Sequence, residues 1–392
     1  MTSRLTDVPS LTAEGFAALK RGDAPAARDS FARVISAGSA DAAVWFGVSV
    51  AYRRLAAPAE ESDALDQALK LDPRYLPALI GKGDLYVLRG DERAAGTYYA
   101  TAIRVADSLK SLPAEWRDEL RRVEAASQRI ARNFEARLLG ALAAHGCGEP
   151  GTERFARGVD LLLGKRQIYL QQPKNFYFPE LPHIEFYDRK DFAWAKTLEG
   201  QTSRVRAELR AILDTDAPFV PYIQREVRQP VLNPNPLLDS PNWGAFYLIK
   251  DGKEVAENAA RCPEAMAALR EVPLCRIADR TPSVLFSLLR PGTRIRPHHG
   301  FMNARLICHL PLIIPSECGL RVGNETRAWQ EGELLVFDDS IEHEAWNLSN
   351  ELRVVLIFDI WRPELSDKER MLVAATLEAV DRLGGPRREW TE

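Results

Sequence analysis

The stretch RGDAPAARDSFARV at residues 21–34 returns as RGDERAAGTYYATA at residues 89–102, an offset of 68 or two periods of 34. Gly22 aligns with Gly90, Ala26 and Ala27 with Ala94 and Ala95, Phe31 with Tyr99, and Ala32 with Ala100. The copy between them is degenerate but keeps Ala56, Leu65 and Ala68 in register and closes on LDP at 71–73. A period of this length, with small residues where two helices must cross closely, fits one helix–turn–helix per repeat. A single such unit cannot bury its apolar face, so the copies must stack, and three are about the minimum. We therefore expect helical repeats over 1–110, followed by capping helices and a helical connector over 111–170, with Gly146 near the stop of a long helix.

At QQPKNFYFPELPHIEFYDRKDF (171–192) prolines and aromatics replace alanines, which marks a domain boundary and opens a second domain at 171–392. One helix stands out there, LEGQTSRVRAELRAILDT. Short β-type runs follow at 244–253, 283–293, 305–314, 320–329, 333–339 and 352–361, separated by Gly, Pro or Asn turns. Such spacing suggests a double-sheet jelly roll, whose interior can hold a ligand. The fold class is then α+β and multidomain, a helical solenoid followed by a β-domain.

Composition narrows the function classes. A formal net charge of -3 gives no footprint for nucleic acid, and no window reaches the eighteen apolar residues of a membrane span. The N-terminus has no apolar core of signal-peptide length. Five cysteines without CxxC spacing argue against a disulfide framework, so free thiols and a cytoplasmic location are expected.

The segment RPHHGFMNARLICHL (296–310) holds three of the six histidines. His298 follows a strand-and-turn boundary, and His343 lies 45 residues later in FDDSIEHEAWN. Strands folded against each other can aim two imidazoles at one first-row metal ion. Arg353 is the single basic residue in LRVVLIFDIW. An arginine facing a barrel interior is costly unless an anion meets it. A purely structural bridge from Arg353 to Asp338, Asp359 or Glu344 remains the alternative.

These segments, with WGAFYLIKDGK, RPGTRIRPHHG, NARLICHLPLIIP, RVGNETRAWQEGE and RVVLIFDIWRPEL, resemble the aspartyl/asparaginyl β-hydroxylase family of iron(II)- and 2-oxoglutarate-dependent oxygenases over about half the chain. The N-terminal repeats resemble tetratricopeptide repeats. The first resemblance implies a double-stranded β-helix in which His298 and His343 ligate Fe(II). Ser287 and Arg353 would hold the distal carboxylate of 2-oxoglutarate, and His309 its metal-proximal carboxylate, with O2 as the second cosubstrate. Gly300 stands two residues after His298, where most such oxygenases carry a carboxylate, and Asp339 is then a candidate to orient a water at the metal. Ile307 stands where the animal-type members carry an arginine, which weakens the implied hold on a carboxylate. Arg305, Arg294, Arg296 and Arg321 remain candidate substrate contacts, and alternation places Arg305, Ile307 and His309 on one strand face. His299 is expected beside the site or facing solvent.

The implied activity is hydroxylation of a residue in a peptide or protein, docked by the repeats. The alternatives are hydroxylation of a small molecule, such as a free amino acid or lipid acyl chain, and a catalytically silent scaffold. The repeats could equally serve only for packing or dimerisation.

Overall fold

The computed structural model describes residues 8–109, 115–215, 219–225 and 235–383. The chain divides into two compact units, 1–159 and 160–392. In the first, three helical hairpins follow one another: α1 (Val8–Arg21) with α2 (Ala24–Ser36), α3 (Ala42–Arg54) with α4 (Pro58–Leu71), and α5 (Leu76–Leu88) with α6 (Glu92–Asp107). The helices start at 8, 42 and 76 and at 24, 58 and 92, so the period of 34 seen in the sequence is the structural period. The arrangement is tetratricopeptide-like.

The repeat has a physical basis at two positions. Residues 22, 56 and 90, one per hairpin turn, all have positive φ, and Gly fills the first and last. Ala56 sits there at φ 53°, a conformation that disfavours any side chain. Residues 31, 65 and 99 are Phe, Leu and Tyr, each fully buried. Each presses on glycines of neighbouring helices: a Cβ placed on Gly47 would lie 2.6 Å from Phe31 Cζ, and one on Gly81 would lie 2.9 Å from Leu65 Cδ2. Glycine is tolerated in these helices because a large side chain takes the space its Cβ would fill.

The long helix α7 (Glu115–Ala143) packs Leu120, Val123, Ala126 and Ile130 against Ala95, Tyr99 and Ala102 of α6. It thereby lies against the last hairpin, within the segment that the sequence assigned to capping helices and a connector. A short helix, α8 (Glu153–Leu162), runs across the division between the units.

The second unit is built on two antiparallel sheets, and every run expected as strand contains one. The strands are β1 (Phe186–Tyr187), β2 (Val220–Pro221), β3 (Trp243–Lys250), β4 (Lys253–Glu254), β5 (Val284–Leu289), β6 (Thr293–His298), β7 (Arg305–Ile313), β8 (Cys318–Val322), β9 (Glu325–Arg327), β10 (Leu335–Phe337), β11 (His343–Asn347) and β12 (Arg353–Trp361). The larger sheet runs β1-β10-β7-β12-β5-β3-β2, with β4 on β3, and the smaller runs β6-β11-β8-β9. This is a jelly-roll-like domain.

Alternation sorts the larger sheet cleanly. Even-numbered residues of β12, β7 and β5, such as Val354, Leu356, Phe358, Leu306, Leu310, Phe286 and Leu288, form an apolar face. That face is covered by α9 (Ala195–Glu199), α10 (Thr202–Leu213) and α12 (Pro263–Ala268), through Leu198, Val205, Leu209, Ile212 and Ala265. A small helix, α11 (Ala256–Ala260), adjoins β3. Odd-numbered residues face the smaller sheet, where Leu285, Leu289, Val355 and Ile357 meet Ile295, Leu320, Val322 and Ala345. The last helix, α13 (Asp367–Leu383), seats Val373 and Leu377 on Met302, Ala304 and Ile277.

Two substitutions should move the stability of the helical unit in opposite directions. Gly47→Ala forces the Phe31 ring to shift, and overpacking costs about 1–3 kcal/mol, which outweighs a helix-propensity gain of about 1 kcal/mol. Ala56→Gly relieves a left-handed conformation and should stabilise by about 1 kcal/mol. Thermal unfolding of the full chain should therefore show a lowered Tm for the first and a raised Tm for the second.

Candidate active site

A cavity of about 710 Å³ lies between the two sheets and draws side chains from both. His298 at the end of β6 and His343 at the start of β11 are register partners, and their ring centroids are 4.1 Å apart. Their tautomers follow from their partners. His298 Nδ1 lies 2.8 Å from the Arg296 carbonyl oxygen, and His343 Nδ1 lies 3.0 Å from that of Ile341. A carbonyl can only accept, so both Nδ1 atoms carry the proton and both Nε2 lone pairs are free. Burial lowers both imidazoles below their ordinary value, that of His343 strongly and with help from His298 beside it. Neutral rings with free Nε2 atoms are what a metal ligand requires.

His309 on β7 has the opposite tautomer. Trp329 Nε1 lies 3.3 Å from its Nδ1, and an indole nitrogen can only donate, so His309 carries its proton on Nε2. Burial and the charge of Arg353 push its pKa down to about 3, which keeps it neutral. It is built to donate a hydrogen bond.

Arg353, 1 % exposed, begins β12. Among the described residues no carboxylate lies within ion-pair distance of it. Its contacts are the Ser287 carbonyl oxygen, which accepts from Nη1 at 3.3 Å, and the Trp329 ring at 4.8 Å, while Nε has no partner. Burial pulls its pKa down to about 10, which still leaves it charged at neutral pH. The three carboxylates proposed as structural partners are engaged elsewhere: Asp338 with Arg362, Asp359 with Arg305, and Glu344 with Arg321. Ser287 Oγ accepts from Trp243 Nε1 at 3.1 Å, so its hydroxyl hydrogen remains for another acceptor.

Arg305, Ile307 and His309 share the cavity face of β7, as alternation predicts. Arg305 is committed, however, with Nη1 at 2.9 Å from Asp359 and Nη2 at 3.0 Å from Asp339. Burial disfavours its charge, but the two carboxylates more than offset this and hold it well above its ordinary value.

Three expected substrate contacts are corrected. Arg294 and Arg296 on β6 and Arg321 on β8 do not line the cavity. Arg294 pairs with Glu344 and lies over Trp346, Arg321 pairs with Glu342 and Glu344, and all three lie on the outer face of the smaller sheet. Arg321 is outside by plain alternation with the inward Leu320 and Val322, but on β6 the reason is a β-bulge: Ala345 pairs with Ile295, whereas His343 pairs with His298, so two residues of β6 stand opposite one of β11. Unbroken alternation would put His298 on the side of Arg294 and Arg296. The bulge at Arg296 and Pro297 turns it inward and leaves the arginines outside.

Gly300 has a steric role. A Cβ there would fall within the carboxylate of Asp339, 2.6 Å from Oδ1 and closer to Oδ2. Gly300 N–H also donates to the Asp339 carbonyl oxygen at 2.6 Å, and Asp339 Oδ1 is buried without a partner. Among the described residues no three His, Cys, Asp or Glu side chains are grouped to hold a metal. A divalent ion here would be held by His298 and His343 alone, and the donor set fits an ion that takes its other ligands from water and a bound anion. His299 lines the cavity in a half-buried position. Trp243, Tyr222 and Trp329 also line or support it and were not singled out from the sequence, although both tryptophans lie inside the quoted motifs; Asp359, considered there only as a partner for Arg353, lines it as well.

Residues 199–363 match the family model described as Aspartyl/Asparaginyl beta-hydroxylase. Those residues carry that family's domain. Over 194 residues it is 32% identical to the ornithine lipid ester-linked acyl 2-hydroxylase of Rhizobium tropici, covering 48% of this chain and 64% of that protein. Over 140 residues it is 39% identical to the aspartyl/asparaginyl beta-hydroxylase of Mus musculus, covering 36% of this chain and 19% of that one. The chain thus spans less than two thirds of the length of each of these family members. A solved structure of the Yersinia enterocolitica type III secretion translocator chaperone SycD is similar over 34% of this chain and 90% of its own, at 14% identity and a TM-score of 0.30. Among the described residues no helix is long and apolar enough to cross a membrane.

The fit of Gly300 against Asp339 is testable by a double-mutant cycle. Gly300→Ala alone should destabilise by about 2 kcal/mol or more, because it displaces a buried carboxylate from Arg305. In an Asp339→Ala background the same change should cost much less. Urea unfolding of the four proteins reads the coupling, and strictly additive effects would refute it.

Proposed function

We propose that the second unit is an iron(II)- and 2-oxoglutarate-dependent hydroxylase acting on a residue of a peptide or protein. The observation that carries this reading is a buried guanidinium without a counter-ion in the same cavity as two adjacent imidazoles with free Nε2 atoms. When bound, iron with 2-oxoglutarate and O2 supplies the oxidising chemistry that converts C–H to C–OH, with succinate and CO2 released. The chain's own residues bind and orient. His298 and His343 hold the ion; Arg353 and the Ser287 hydroxyl receive the distal carboxylate; His309 donates from Nε2 to the proximal one. Asp339 has one oxygen without a partner and is positioned to accept from a water. The apolar surroundings of the cavity, such as Leu285, Ile307 and Ile357, exclude bulk water.

The acceptor is the finer question. The tetratricopeptide-like unit supports a protein substrate, because such stacks present extended binding surfaces. A second reading, hydroxylation of a lipid acyl chain or another small molecule, draws on the apolar Ile307 between Arg305 and His309 and on the activity in the Rhizobium tropici protein's name. Mass spectrometry of products from a peptide pool and from a lipid and metabolite extract separates the two. On the first reading, removing residues 1–159 raises KM for a protein substrate and leaves KM for 2-oxoglutarate unchanged. Equal KM values with and without that unit would sink the docking role.

Arg353→Leu gives a test with two signs. Loss of the charge-assisted contact should weaken 2-oxoglutarate binding by about 2 kcal/mol or more, roughly thirtyfold. The same change removes a desolvated charge and should stabilise the ligand-free protein by about 1–4 kcal/mol. His298→Ala and His343→Ala should each abolish stoichiometric iron binding and succinate formation. A variant at 353 that loses stability while keeping 2-oxoglutarate affinity would refute the reading.

A further inference from the structure

We propose that Trp243 and Trp329 are positioning residues that determine which hydrogens the Arg353 end of the cavity offers to an anion. Serine and neutral histidine can each donate or accept, so a wall built from Ser287 and His309 has no fixed polarity of its own. The two indoles remove that freedom. Trp329 donates to His309 Nδ1 and sends the imidazole hydrogen to Nε2; Trp243 donates to Ser287 Oγ and leaves its hydroxyl hydrogen to point elsewhere. Both indoles are buried, at 4 % and 6 % exposure, so water does not compete for these bonds. Trp329 also supports the Arg353 guanidinium with its ring, and a guanidinium has only donors.

Three groups on three strands, β5, β7 and β12, are thereby biased toward donation: His309 and Arg353 have only hydrogens to offer, and Ser287 offers its hydroxyl hydrogen with one of its two lone pairs already taken by Trp243. The opposite holds at His298 and His343, where backbone carbonyls take the Nδ1 hydrogens and leave lone pairs. Indoles and carbonyls bonded to the lining groups thus divide the cavity into a part that presents lone pairs and a part that presents mainly hydrogens. A carboxylate, which only accepts, matches the second part. A carboxamide, which must place two N–H hydrogens, does not. The specificity consequence rests on the proposed 2-oxoglutarate reading, whereas the tautomer assignment does not depend on it.

The experiment uses the full-length protein with 15N-labelled histidine rings. In the metal-free wild type, His309 should show Nδ1 unprotonated and Nε2 protonated, and Trp329→Phe, which keeps an aromatic ring under Arg353, should shift it to a mixture of tautomers. A wild-type His309 protonated on Nδ1 overturns the proposal whatever the variants do. With Mn(II) bound and O2 excluded, the wild type should bind 2-oxoglutarate at least about a hundredfold tighter than its distal monoamide. Trp243→Phe, acting on the Ser287 end, should narrow that ratio about tenfold; general loosening would weaken both ligands alike. An unchanged ratio overturns the positioning role of Trp243. If His309 has the expected tautomer but neither ligand binds the wild type, the role assigned to Trp329 at the imidazole stands and the 2-oxoglutarate reading fails.

Discussion

A guanidinium enclosed in a protein without a counter-ion is a standing electrostatic debt, and the architecture of the second unit is organised around the one at Arg353. Removing such a charge from water carries an effective penalty of several kcal/mol. The ring of Trp329 offsets about 2 kcal/mol of that, and one carbonyl contributes a weak bond. Meanwhile each nearby carboxylate has another arginine. Along β12 the closest in sequence on the same face, Asp359, lies six residues away, roughly 20 Å at 3.3 Å per residue, and is held by Arg305. Among the described residues the fully buried charges of the cavity are paired off until Arg353 is left over, at the opposite end from the carboxylate pair, while the half-buried Lys174 lines the cavity elsewhere.

How that arrangement was legible in the sequence depends on alternation. β12 keeps regular register with β5 from Arg353 to Ile357, and with β7 from Pro311 back to Arg305, the β7 register shifting only beyond Pro311; reading that period of two places Arg353 inside and Arg305, Ile307 and His309 on one face. The repeats were legible for a similar reason, since a period of 34 survives in Gly22 and Gly90 and in the bulky residues at 31, 65 and 99. Alternation misleads at β6. There the bulge inserts a residue, and arginines that share the parity of His298 end up on the far side of the sheet. Proline at 297 is compatible with that bulge because it has no ladder N–H to lose, but a proline in a strand does not by itself announce where the chain gains a residue.

Other features were illegible because they are made by contacts between distant segments. Nothing local in GAFYLIKDGK or in RAWQEGE shows that the neighbouring indoles reach Ser287 and His309, 44 and 20 residues away. Gly300 looked like a missing ligand, and its use as space for Asp339 appears only when β6 and the segment after β10 are brought together. The C-terminal helix α13 was passed over in favour of the strands before it, yet it closes a small core under Met302 and Ala304.

The vacancy at position 300 and the surplus charge at position 353 are two aspects of one design. A metal held by two imidazoles has weaker protein ligation than one held by two imidazoles and a carboxylate, so more of its affinity must come from what else binds. On the proposed reading that partner is a diacid, one end of which completes the ion's coordination while the other neutralises Arg353. Neither interaction is as favourable without the other, because the ion lacks ligands and the guanidinium lacks an anion. Linkage then requires each to raise the other's affinity by the same factor. The same argument accounts for the commitment of Arg305 to Asp339 and Asp359: a second unpaired guanidinium buried on the same cavity face would offer the diacid a competing bidentate position and loosen the coupling between the two ends.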